Sequence, residues 1–344
     1  MSLVEKFKMR ALVLGPILQG FFVLLCVAGW LLPPAAHAQD DVAQEIAVNL
    51  AEGRVVICPA KNGLIVATID EHSEPGSRPP AVAMLSSYHA GVMLGAVEWV
   101  HPDSPDAKDQ PIRLDQEFPN LAATALRIPH GPNYANTASD LEAIGVSVLE
   151  RVRQVAAGLH HKINLGEDEP LLRLVLADYV PNYGPEVWVL DYRVRQDSLG
   201  NDYWRTRVLR PSYNQLYPPV KGQPHTLIEV LYPPENRAQG APELLDLLRQ
   251  NDPRLANIRS ANKELEKSVT LVAEGRSQES SAASDIDFLR AALPAVIPAK
   301  TNITMALVDF DRGFQWVLQP PKPAAPAPGS QTPQEPERPT LMRK

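Results

Sequence analysis

The chain has 344 residues, of which 33 are Lys or Arg and 40 are Asp or Glu, for a formal net charge of −7. An acid surplus of this kind excludes the polyphosphate attraction that dominates nucleic-acid affinity, so no nucleic-acid partner is expected. Two cysteines, Cys26 and Cys58, are too few for a disulfide scaffold, and stability must come from an ordinary core.

Residues 1–38 read as a signal peptide. Lys6, Lys8 and Arg10 form a cationic start, residues 11–32 are apolar, and Ala36-His37-Ala38 supplies the small side chains that signal peptidase accepts. Gly15-Pro16, Gln19 and Gly20 interrupt the run and leave a compact apolar stretch at 21–32, which favours a cleaved leader. The run could still span the roughly 30 Å hydrocarbon layer. An uncleaved anchor is therefore the alternative, and the leader is the only membrane contact expected. Cleavage puts the mature start near Gln39 and implies an extracytoplasmic location, periplasmic or secreted. It removes three basic residues and one acidic residue, so the net charge becomes −9 and Cys58 has no partner for an internal disulfide.

Residues 41–52 have helical spacing. Residues 54–60 and 64–69 flank Lys61-Asn62-Gly63, and Asn-Gly supplies the positive φ angles of a tight hairpin turn. Segments 81–86 and 90–100 are further strand candidates. Residues 101–132 are rich in Pro and Asp with little periodicity, which predicts a boundary or a long surface loop. Ser139 with Glu142 three residues on forms a capping-box pattern, and Leu141, Ile144, Val148, Val152, Val155 and Leu159 continue as one apolar helical stripe. Three strands follow at 171–180, 186–196 and 202–210, joined by turns at 181–185 and 198–200.

Asp252-Pro253 opens a second helical stripe through Leu255, Ile258, Ala261, Leu265, Val269 and Val272. A shorter helix is expected at 285–293, and a closing hairpin at 302–310 and 314–318 around Asp311-Arg312-Gly313. Asp309-Phe310-Asp311 resembles the start of a calcium loop, but Arg312, Phe314 and Trp316 stand where oxygen ligands are needed, so a hairpin turn is the reading. The fold class is α+β, with antiparallel sheets of meander or hairpin type packed against amphipathic helices. The organisation is a leader at 1–38, an N-terminal α+β domain or subdomain at 39–135, a C-terminal α+β domain at 136–318, and a tail at 319–344. That tail holds eight prolines and one large aliphatic residue, Leu341, and is expected to be disordered and extended.

Between Tyr179 and Tyr232 lie seven of the nine tyrosines together with Trp188 and Trp204. Alternation puts Leu172, Leu174, Leu176, Leu190 and Tyr192 on an apolar face to be covered by helices. The other face carries Arg173, Arg193, Arg195, Arg205 and Arg207 at one end, and Val175, Ala177, Val187 and Val189 at the other. A three-residue loop ending at Gly200 puts Arg195 opposite Tyr203 and Arg193 opposite Arg205, with Arg173 opposite Arg193 in turn. Like charges across strands cost energy, so nearby acids such as Asp191 must offset them, or the row takes an anion. Arginine forks beside Tyr203 suit carboxylate, phosphate or acidic polysaccharide groups. The peptide Leu-Tyr-Pro-Pro occurs at 216–219 and 231–234, where its prolines end strand pairing.

No nucleophile elbow, zinc-protease helix, phosphate loop, dinucleotide turn or Cys-x-x-Cys occurs. The pair His160-His161 is expected at the C-terminus of the capped helix, complementing its dipole. Cys58 lies in an apolar run and reads as a buried thiol. No metal and no cofactor are expected. The leading expectation is an exported, non-catalytic binding or envelope-assembly protein whose partner is a protein or an anionic envelope polymer. The alternative is an extracytoplasmic hydrolase built from His89, Glu98, His101 and Asp103. A subunit of an envelope complex would instead expose Val175, Val187 and Val189 as an uncovered patch.

Overall fold

The computed structural model describes residues 47–70, 78–100, 111–126, 137–163, 165, 169–180, 183–233, 243–296 and 302–320. The leader at 1–38 and residues 321–344 of the tail lie outside them. Strands come first: β1 (Ala47–Ala51), β2 (Gly53–Ala60), β3 (Gly63–Ile69), β4 (Val82–Ser86), β5 (His89–Val100) and β6 (Ile112–Arg113). Helices α1 (Leu114–Leu126) and α2 (Thr137–Ala156) precede β7 (Leu172–Val180), β8 (Gly184–Tyr192), β9 (Val194–Gly200), β10 (Tyr203–Val208), β11 (Ser212–Tyr217) and β12 (Ile228–Tyr232). Then α3 (Leu244–Arg249), α4 (Ala256–Ala261), α5 (Lys263–Ala273) and α6 (Ala282–Val296) lead to β13 (Ile303–Asp309) and β14 (Gly313–Leu318).

Antiparallel sheets and helices thus make an α+β fold. A 7-stranded sheet runs β1-β5-β7-β8-β11, with β4 and β6 also on β5, and a 5-stranded sheet runs β12-β2-β3-β13-β14. Alternation gives the central strands two buried faces. In β2 and β3, Val55, Ile57, Leu64 and Val66 face the first sheet's Val92, Leu94, Val175 and Val187, closing a dry layer between the sheets. The opposite faces meet helices: Val56, Cys58, Ile65 and Ala67 pack on α3 to α6, while Leu174, Leu176 and Leu190 pack on Phe118, Ile144 and Val148 of α1 and α2. The order is helix, sheet, sheet, helix.

Strand pairing crosses the proposed division at residue 135. β13 pairs β3, β12 pairs β2, and β7 pairs β5. Segments from both sides of that division therefore complete both sheets, and 39–135 and 136–318 are not separate domains. The patch expected of an envelope subunit is absent too, because Val175, Val187 and Val189 are buried between the sheets.

Local signals held at the hairpins. Asn62 leads the β2–β3 turn, and at the β13–β14 turn Asp309 Oδ1 accepts from the amides of Asp311 and Arg312 at 3.0 and 2.8 Å. Elsewhere tertiary pairing or capping overrides spacing. Residues 47–51 form β1 on the second half of β5 rather than a helix. Within the loop expected at 101–132, Leu114, Phe118, Ala122 and Ala125 are buried on one side of helix α1, whose signal is broken by Pro119. Helix α2 starts at Thr137, so Ser139 lies inside it rather than at its cap. The single helix expected from Pro253 divides at Asn262, which takes an extended conformation and caps α5 by accepting from the Leu265 amide at 2.8 Å. Both Leu-Tyr-Pro-Pro copies end edge strands, β11 of one sheet and β12 of the other.

Phe288 is fully buried where α6 meets the second sheet. Phe288→Ala is expected to lower the unfolding free energy by about 3–5 kcal/mol in urea titration, since the rigid layer beneath cannot close the cavity.

Candidate functional site

After Tyr192 the chain leaves the large sheet, and β9 and β10 pair only with each other. Their turn is Asn201-Asp202, with φ angles of 50° and 59°. That is the double left-handed arrangement of a two-residue hairpin, which Asn and Asp tolerate best after Gly. The turn lies beyond Gly200 rather than ending there, and the register changes accordingly. Arg195 stands opposite Arg207, and Arg205 opposite Asp197.

The inner face of this ribbon is anchored to the segment following α2. Gln196 donates to the His161 carbonyl at 2.8 Å and to Thr206 at 2.9 Å, and accepts from the Ile163 amide at 2.8 Å. Thr206 donates to the Leu159 carbonyl at 3.1 Å, and the Trp204 amide to the His160 carbonyl at 2.6 Å. His160 stacks on Tyr203 with ring centroids 4.5 Å apart. Helix α2 ends at Ala156, so His160 and His161 support the ribbon rather than complement the helix dipole.

The outer face holds Arg195, Arg205 and Arg207, all exposed, with Asp197 among them. Asp197 receives Arg195 at 3.5 Å and Arg207 at 3.4 Å, while the two arginine side chains remain 72% and 58% exposed. Such solvated pairs contribute about 0.2–1 kcal/mol and leave the guanidinium forks open to another anion. Arg193 is also exposed, at the ribbon's base, where its carbonyl accepts from the Leu209 amide at 2.9 Å.

Arg173 does not join this row. It lies between the sheets opposite Asp191, not Arg193, and grips it with two bonds of 2.6 and 2.9 Å while donating to the Leu231 carbonyl of β12 at 2.9 Å. A cavity of about 330 Å³ opens there between the edges β11 and β12. Its other charge, Glu229, accepts from Arg54 at 2.7 Å and from the Leu245 amide at 3.2 Å. The polar groups of this cleft thus bind one another.

His89 and Glu98 are not brought together. They begin and nearly end the same strand, nine residues or roughly 30 Å apart at strand rise. Glu98 takes Arg78, Arg113 and Asn49; burial pushes its carboxyl up, but those partners outweigh it and hold it below the usual range. His101 and Asp103 lie outside the described residues. Among the described residues, no group of three or more His, Cys, Asp or Glu is placed to hold a metal ion.

The partners His89 does have went unread in the sequence. Ser86 and His89 face each other across the two-residue β4–β5 turn, and Ser86 Oγ lies 2.6 Å from His89 Nδ1. Across the sheet, Asp178 lies 3.8 Å from His89 Nε2. A nucleophile, a base and an acid in this order resemble a hydrolytic triad, whose acid must be charged and hydrogen-bonded to orient the imidazole. Here burial, then Glu186 and Asp140, push the Asp178 carboxyl well above its ordinary range, which disfavours the charged form, and its 3.8 Å distance exceeds hydrogen-bond length. Burial likewise lowers His89.

A second buried acid lies beneath α6. Cys58 Sγ approaches Asp285 at 3.8 Å beside the Ser268–Ser280 pair. Burial pushes Asp285 up to about 6 against the opposing pull of Ser280, Ser268 and Cys58. The thiol is raised further still, first by burial and then by Asp285, which makes it inert.

With this geometry established, comparison with known proteins finds no family model that matches the chain and no curated protein that matches it.

The folded state holds the Asp285 proton more tightly than the unfolded chain does. The stability this group contributes is therefore complete below about pH 4 and is lost as pH rises to about 6, amounting to about 3 kcal/mol. Urea titrations across that window are expected to give Asp285→Asn a flatter pH profile than the parent. Parallel profiles would show that the carboxyl titrates normally.

Proposed function

We propose that this is a non-catalytic binding or assembly protein that acts outside the cytoplasm and recognises anionic groups through the outer face of the β9–β10 ribbon. The observation that carries this reading is the Arg195, Arg205 and Arg207 face, which shares Asp197 and is held rigid from behind by Gln196 and Thr206. Arg195 stands directly across from Arg207, and their long, solvated pairing with Asp197 leaves both forks able to take a carboxylate, phosphate or sulfate. Preorganised support lowers the entropy lost on binding. In a chain whose net charge is −7, five arginines against two aspartates over residues 193–210 make a local basic surface. The hydrolase alternative has less support, because Asp178 lies 3.8 Å from His89 Nε2, beyond hydrogen-bond length, in a site whose burial disfavours its charged form. The leader pattern of residues 1–38 supports the location, and an anionic envelope polymer is the partner class that location offers.

Replacing Arg195 and Arg207 together by alanine is expected to shift elution of the protein from a sulfated-polysaccharide column to markedly lower salt, with unfolding unchanged. Elution at the parent's salt concentration would remove the proposal. The location is checked separately by intact mass of natively produced protein, expected to correspond to a start near Gln39. Material that retains Met1 would be tethered instead.

A further inference from the structure

Among the described residues, nine large apolar side chains are exposed, and two of them, Leu199 and Tyr203, stand together at the tip of the ribbon. A ribbon that served only soluble polyanions would have no use for them. Leu199, 52% exposed, lies at the tip of the ribbon, where a register shift leaves it without a cross-strand partner. Tyr203, 46% exposed, stands opposite Gly200 at the same tip, one side of its ring stacked on His160. Gly200, Asn201 and Asp202 lie between them and are exposed, and Asp202 is the one charge of the turn. The result is a ribbon that grades from paired guanidinium forks along its strands to an aliphatic and a phenolic side chain at its tip.

From this gradient we infer that the outer face of the β9–β10 ribbon docks on an anionic lipid surface. The inference rests on the anion-binding reading above and names its ligand. Arg195, Arg205 and Arg207 lie at the level of the lipid phosphates, where each basic residue adds attraction that falls off within a Debye length. Leu199 enters the boundary between headgroups and acyl chains, and Tyr203 sits at headgroup depth, the position its amphipathic ring favours. Asp197 bridges two arginines and Asp202 occupies the turn, and the three arginines of the ribbon outnumber these two acids. This contact is additional to any made by the leader.

The test is co-sedimentation of the full chain with vesicles of phosphatidylcholine alone and of phosphatidylcholine with one third phosphatidylglycerol, run beside a dextran sulfate column. Binding to the anionic vesicles alone is expected. Arg195→Ala with Arg207→Ala should weaken it roughly 25-fold, about fivefold for each charge. Leu199→Ser, which removes the aliphatic group without adding charge, should weaken vesicle binding roughly tenfold yet leave dextran sulfate retention unchanged, with thermal melts confirming that each variant folds. Retention on dextran sulfate without vesicle binding overturns the lipid inference and leaves the anion reading standing. Failure on both removes both. Vesicle binding that is equal in every variant assigns membrane attachment to another part of the chain and also overturns the inference.

Discussion

The contact between the two sheets governs the rest of the molecule. Val55, Ile57, Val66, Val92, Leu94, Val175 and Val308 interdigitate across a layer of the usual sheet spacing, about 10 Å. Because helices also cover both outer faces, a polar side chain on a central strand has no route to water and must find its partner inside. That explains the Arg54–Glu229 pair and the 2.5 Å contact between Thr68 and Thr304. Charge that has to stay available can stand only at strand ends, on edges, or on an element that leaves the sheets. The β9–β10 ribbon is such an element.

How much of this was legible depends on how local the signal was. Asn62-Gly63 and Asp311-Arg312-Gly313 fix turns by their own backbone preferences, and the alternation of β7 and β8 correctly separates a helix-facing side from a second buried side. Alternation could not say that the second side met another sheet rather than solvent or a partner. Residues 47–51 become a strand only because β5 offers an unpaired edge nearly fifty residues further on. Asn262 could have continued a helix or capped one, and its side chain decided for the cap.

The arginine row was legible as a pattern but not as a place. Arg173 and Arg195 share a face on paper, yet the chain leaves the large sheet at Arg193, which turns the first inward onto Asp191 and leaves the second in solvent. Gly200 drew the turn towards itself, but Asn201 and Asp202 adopt positive φ together and move every cross-strand pair of the ribbon. The spacing of His89 and Glu98 could have been judged from the sequence alone, since an extended strand carries residues nine apart to opposite ends. Asp178 could not, because its neighbourhood to His89 depends on the register between β5 and β7.

The two edge strands β11 and β12 lie on the same flank of the molecule and end in the same peptide, with Pro218 and Pro233 directly after Tyr217 and Tyr232. A proline there offers no amide hydrogen, so neither strand can lengthen to recruit a strand from a neighbouring molecule. At high local concentration, any pairing along these two edges is therefore confined to the short stretches before Tyr217 and Tyr232.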